Sequence, residues 1–177
     1  MTSHHNRLCS SGGFTLVELM VTISIFAVLL GIGLPSLNDM LAGQKVRSAS
    51  SDLYASLIFA RSEAIKGNAN VEIRKLAAAG DDSDWSSGWE IWGGSPIAML
   101  RIQQPITGVA MTGPASPAAG PHAVIFTGNG RLQGAALPEF RVSLSNTTSP
   151  RMRCVQISLT GMPTTVVDAD SDVANGC

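Results

Sequence analysis

Histidine, cysteine and aromatic side chains are scarce in this chain. Its 177 residues include 3 His, 3 Cys, 3 Trp, 5 Phe and 1 Tyr. His4 and His5 are neighbours near the start, and His122 stands alone in a Gly/Pro-rich stretch, so no tetrahedral zinc set is complete. Charge is sparse as well: 12 Lys+Arg against 13 Asp+Glu leave a net charge of -1. That balance gives no basic surface of the kind that tracks a nucleic-acid backbone. A Gly-x-Ser-x-Gly elbow and a Gly-rich phosphate loop ending in Lys-Ser/Thr are both missing. The expectation is a protein with no catalytic residues, no cofactor and no metal.

One long apolar run stands against this background. Phe14 to Leu34 carries Glu18 as its only charge, with Thr15, Thr22 and Ser24 as its other polar side chains. As a helix it would be roughly 31 Å long, about one bilayer hydrocarbon core. A carboxylate in such a helix costs on the order of 2.5–3.5 kcal/mol and needs a partner. A cut between Gly13 and Phe14 would create one, the new α-amino group of Phe14. An ordinary secretory signal, with Arg7 as its basic region and Gly31-x-Gly33 as its cleavage site, is the competing reading. Glu18 and the length of the run both weigh against it.

Gly13, Phe14, the run Thr15-Leu16-Val17-Glu18-Leu19 and Pro35 past the span together resemble the class III signal of type IV pilins and type II secretion pseudopilins. The resemblance implies cleavage after Gly13 by a prepilin peptidase, N-methylation of Phe14, and a role for Glu18 in assembly. Arg7 would keep the leader in the cytoplasm by the positive-inside tendency, placing the remainder beyond the inner membrane in the periplasm.

Beyond Pro35, expected to kink or loosen the helix, a helical pattern resumes. Leu37, Leu41, Val46, Ala49, Leu53, Leu57, Ala60 and Ala64 recur mostly at three- and four-residue steps. Glu63 and Lys66 form a favourable pair, and Gly67-Asn68 reads as the exit. The period then changes. Val71 to Leu76, Trp89 to Trp92, Ile97 to Gln103, Ala123 to Phe126, Phe140 to Leu144, Cys154 to Leu159 and Thr164 to Val167 read as short strands. Gly128-Asn129-Gly130 would turn the Ala123 strand into Arg131-Leu132-Gln133. Gln104 to Pro121, with four prolines and three glycines, reads as a long loop. The layout is α+β: a long N-terminal helix, membrane-spanning in its first half, packed on an antiparallel sheet or sandwich. The expected divisions are a cleaved leader at 1–13, a transmembrane and filament-core helix at 14–35, its amphipathic half at 36–67, and a β-rich domain at 68–177.

Ala60-Arg61-Ser62-Glu63-Ala64-Ile65, Trp85-x-x-Gly88-Trp89, Phe126-x-x-x-Gly130-Arg131 and Arg153-Cys154-Val155-Gln156-Ile157-Ser158 are similar to segments of the GspH/FimT/FimU family of minor pilins and pseudopilins. The resemblance implies a type IV pilin-like fold. Its implied partners are other major and minor pilins or pseudopilins, the prepilin peptidase and an inner-membrane assembly platform. Cys9 would leave with the leader, so Cys154 and Cys177 form an even pair in an oxidising compartment, and a disulfide is expected.

Two further motifs are weighed here. Asp168-x-Asp170-x-Asp172 resembles the first half of a calcium loop, but position six is Val173 and no bidentate Glu follows. A solvated acidic tail is the preferred reading. Some family members carry a C-terminal Gly-Arg-x-Arg tied to DNA uptake; the matching place here reads Gly161-Met162-Pro163-Thr164, with Arg151 and Arg153 nearby. Without that basic pair, nucleic acid is not an expected partner. Three functional readings stay open: minor pilin of a type IV pilus, pseudopilin H of a type II secretion system, and DNA-uptake minor pilin. The cysteine pair and the Arg153–Ser158 strand favour the first.

Overall fold

The computed structural model describes residues 13–76, 83–114, 123–134, 137–145, 152–168 and 177, with the side chains of 32–39 and of 123 left aside. His4, His5, Arg7, Cys9, the Asp81-Asp82 loop, His122, Arg151, Asp170 and Asp172 lie outside the described residues. The chain divides into two compact units, Met1–Met40 and Leu41–Cys177.

Helix α1 runs Leu16–Gly67. In the first unit its apolar side chains lie open, from Leu16 at 74% exposure to Leu30 at 56%. Among the described residues of that unit nothing covers them. In the second unit the expected apolar face is buried: Val46, Ala49, Leu53, Leu57, Ala60 and Ala64 are each at most 2% exposed. Leu41 departs from the expectation, standing 55% exposed one turn ahead of that face. Leu53 and Leu57 contribute about 1.5–3 kcal/mol each by leaving water. The exit is made by Asn68 rather than Gly67. Asn68 takes a positive φ of 45°, its N–H bonds the Ile65 carbonyl at 3.3 Å, and the Ala69 N–H bonds the Ala64 carbonyl at 3.2 Å. These are the paired bonds of a Schellman end, with asparagine in the left-handed position.

Among the described residues eight strands follow: β1 (Val71–Lys75), β2 (Trp89–Gly93), β3 (Ala98–Gln103), β4 (Val109–Thr112), β5 (Ala123–Phe126), β6 (Glu139–Leu144), β7 (Arg153–Ile157) and β8 (Pro163–Val167). They form two four-stranded sheets, ordered β3-β2-β1-β5 and β4-β6-β7-β8, with every pairing antiparallel. The α+β architecture expected from the sequence is the one observed.

One local expectation fails. Gln104 to Pro121 is not all loop, because β4 lies inside it and pairs with β6, Val109 opposite Leu144 and Met111 opposite Val142. Val109 and Met111 alternate with Ala110 and point into the core; four residues between glycines and prolines are too short a run to show a period. The expected Gly128-Asn129-Gly130 turn is observed: the Gly130 N–H bonds the Thr127 carbonyl at 2.7 Å, the Thr127 N–H the Arg131 carbonyl at 2.9 Å and the Gln133 N–H the Ile125 carbonyl at 2.8 Å, so 131–133 folds back along β5 with Leu132 bridged to Phe126.

The core joins the helix face to both sheets. Trp85, Trp89, Phe126 and Phe140 are its largest fully buried side chains, and Trp85 meets Phe140 edge to face at 4.8 Å.

Candidate functional site

Gly13, Phe14 and Thr15 precede α1 in non-helical backbone. Thr15 is the N-cap. Its hydroxyl accepts the Glu18 N–H at 3.2 Å, while the Glu18 carboxylate accepts the Thr15 N–H and hydroxyl, each at 3.1 Å. This is a reciprocal capping box, and a carboxylate in the first turn also suits the helix dipole. The sequence reading gave Glu18 a partner only after cleavage; here Thr15 already serves it. The signal was present as Thr15-x-x-Glu18 ahead of an apolar run. At Gly13 an added Cβ would meet nothing within 4 Å, and Phe14 is 82% exposed. Both sides of the expected cleavage point are thus open to another protein. Among the described residues no helix is long and apolar enough to cross a membrane. The described side chains of the apolar run stop at Gly31.

Two of the segments that carry the family resemblance, Ala60–Ile65 and Phe126–Arg131, meet at one structural junction. Arg61 of α1 donates its Nε to the Gly130 carbonyl at 3.0 Å and a terminal nitrogen to the Thr160 carbonyl at 3.5 Å. Gly130, at φ 76°, leaves room for Ile65, whose Cδ1 would lie 2.6 Å from a Cβ there. A Cβ at Gly161, φ 78°, would collide with the Gly130 carbonyl oxygen. The helix end, the 127–130 turn and the 158–161 turn are therefore locked through two glycines and one guanidinium. Gly88 serves similarly in the Trp85-x-x-Gly88-Trp89 segment, where a Cβ would run into the Gln103 carbonyl.

Trp85 and Trp89 are core side chains, so they make no ligand platform, and Trp92 lies under the Arg74 guanidinium at 5.1 Å. Cys154, fully buried in β7, is bonded to Cys177 across a separation of 23 residues, with Cα atoms 6.0 Å apart. Among the described residues no three His, Cys, Asp or Glu side chains gather as metal ligands.

A capped apolar helix behind an open Gly13-Phe14 junction, followed by two antiparallel sheets, defines a pilin-like protein. Residues 49–161 match the family model of the type II transport protein GspH, and residues 9–34 match the prokaryotic N-terminal methylation motif. This chain belongs to the GspH family. Its fold is similar to the type IV minor pilin FimU of Pseudomonas aeruginosa in two crystal forms. One superposes with a TM-score of 0.55 at 24% identity, covering 73% of this chain and 92% of that one. The other gives 0.52 at 27%, covering 71% and 94%. The minor pseudopilin EpsH from the type 2 secretion system of Vibrio cholerae shares the fold, with a TM-score of 0.51 at 9% identity over 72% of this chain and 99% of that one. No curated protein matches the chain.

Proposed function

We propose that this chain is a minor pilin subunit of a type IV pilus, acting in assembly initiation or in the tip complex. The observation that carries the reading is the succession, in one chain, of an N-terminal methylation motif over 9–34 and a GspH domain over 49–161. In this reading a prepilin peptidase removes residues 1–13 and methylates Phe14. Residues 14–35 sit in the inner membrane before entering the filament core, with the N-terminus cytoplasmic and the β-rich domain periplasmic. The protein works by contact with other pilins and the assembly platform, and it catalyses nothing.

The second reading is a pseudopilin of type II secretion. The family description and the fold shared with EpsH favour it; likeness to FimU at 27% identity favours the pilus. Gene deletion separates the two. Loss of surface pili with protein secretion intact supports the pilus reading, and the reverse pattern overturns it. Recovery of the chain in sheared filaments is the direct check.

A further inference from the structure

Beside the core, a groove of about 500 Å³ runs between α1 and β8. Arg47, Ser51 and Tyr54 line it from the helix, Arg153 from β7, and Thr164 and Thr165 from β8. The spacing 47, 51, 54 places three polar side chains along one helix face. Residues 164 and 165 belong to the outermost strand of their sheet. Two guanidinium groups and four hydroxyls therefore face one cleft, and no carboxylate lines it among the described residues. Arg47 and Arg153 also have no ion pair or side-chain hydrogen bond among the described residues. Other charged side chains close to the core do have them: Arg74 with Glu72 at 2.9 Å, and Arg141 with Glu139 at 2.9 Å.

We propose that this groove receives an acidic segment of a neighbouring filament subunit, its carboxylates held by Arg47 and Arg153. The chemistry follows from the donors. A guanidinium presents a planar fork that fits a carboxylate in two-point contact, and hydroxyls on both walls take the remaining acceptor lone pairs. The volume exceeds what one isolated oxyanion fills, so a short run of acidic side chains suits it better than a single ion. A protein whose net charge is -1 gains little from long-range attraction of polyanions; a local pair of cations instead selects a local acidic match. Arg47 is exposed, so each contact is modest and screened by salt, and the groove sets register between subunits more than it supplies affinity.

This proposal rests on the filament-subunit reading but is tested apart from it. Tyr54 is the chain's one tyrosine, so 3-fluorotyrosine labelling of the full chain in detergent micelles gives a single ¹⁹F resonance inside the groove. Titration with a blocked triglutamate peptide should shift that resonance saturably, while triglutamine should not. The Arg47→Gln/Arg153→Gln double variant should weaken the response by about tenfold, the worth of a few charge-assisted contacts at a partly exposed site. No shift with triglutamate, or an equal shift in the double variant, overturns the proposal. So does a DNA duplex that shifts the resonance at lower concentration than the peptide. In cells, Arg47→Glu/Arg153→Glu should leave the chain's abundance intact and reduce its recovery in sheared filaments; unchanged recovery overturns the proposal. If the wild-type chain were absent from filaments altogether, the subunit reading would fall while the titration still reported on the groove.

Discussion

A Cβ placed at Gly13 would meet nothing among the described residues within 4 Å, whereas at Gly130 or Gly161 it would strike the fold. The three glycines therefore have different reasons to be there, and only the last two are explained by packing. For Gly13 the proposed function places the constraint in recognition by a prepilin peptidase. We predict that Gly13→Leu folds normally but stays uncut, which intact mass of membrane-extracted protein would reveal. A wild-type mature chain beginning near Leu34 would sink the pilin reading. Glu18 caps the helix with Thr15, and the proposed cleavage would give it a second duty as charge partner for a Phe14 ammonium; a pair of variants separates the two. Thr15→Val removes the hydroxyl of the cap, worth about 1 kcal/mol of helix end. Glu18→Ala removes the charge too, leaving an ammonium unpaired in low dielectric. Cleavage and insertion should survive both, and incorporation into filaments should fall further with Glu18→Ala. Equal incorporation of the two variants would reduce Glu18 to a cap. Glu18 stands out in the sequence as one charge in an apolar run, which suggests a charge partner; its observed role as a cap was legible as Thr-x-x-Glu but needed the helix start to be fixed.

Elements were legible where their period was long enough to see. The face Val46 to Ala64 repeats over several turns, and all six of its residues from Val46 onward are buried as the spacing required. β4 is the opposite case. Val109-Ala110-Met111-Thr112 has strand alternation, but its meaning comes from β6, which lies some thirty residues away and supplies the partner hydrogen bonds. No local window contains that information. The Gly128-Asn129-Gly130 turn is the contrasting case, legible because both of its paired arms, 125–127 and 131–133, lie within one short window. If β4 is a core strand, Met111→Ala should lower unfolding free energy by about 2–5 kcal/mol. Met162→Ala, at a 44% exposed position, should change it by no more than about 0.5 kcal/mol. Urea denaturation of the two variants decides this, and similar small losses in both would place β4 outside the core.

At the scale of the whole molecule, every core side chain among the described residues lies at Val46 or beyond. A chain beginning at Ser36 should therefore fold without the apolar run, giving a cooperative thermal transition and dispersed amide resonances; a molten spectrum would show that the run is part of the fold. The disulfide closes a 23-residue separation, for which the chain-entropy model gives roughly 3.4 kcal/mol. Cys177→Ser should lower the melting temperature and speed proteolysis at the C-terminal end. Equal protease half-lives for variant and wild type would argue that the bond contributes nothing to holding that end. The same bond has a mechanical consequence. β8 is the last strand of its sheet, paired only with β7, and a pull along the backbone beyond Val167 could peel it away one hydrogen bond at a time. Tension entering through Cys177 is instead delivered to Cys154 in β7, which is clamped between β6 and β8. Load applied there must shear two ladders at once, so the domain meets traction at the middle of its sheet and not at its weakest edge.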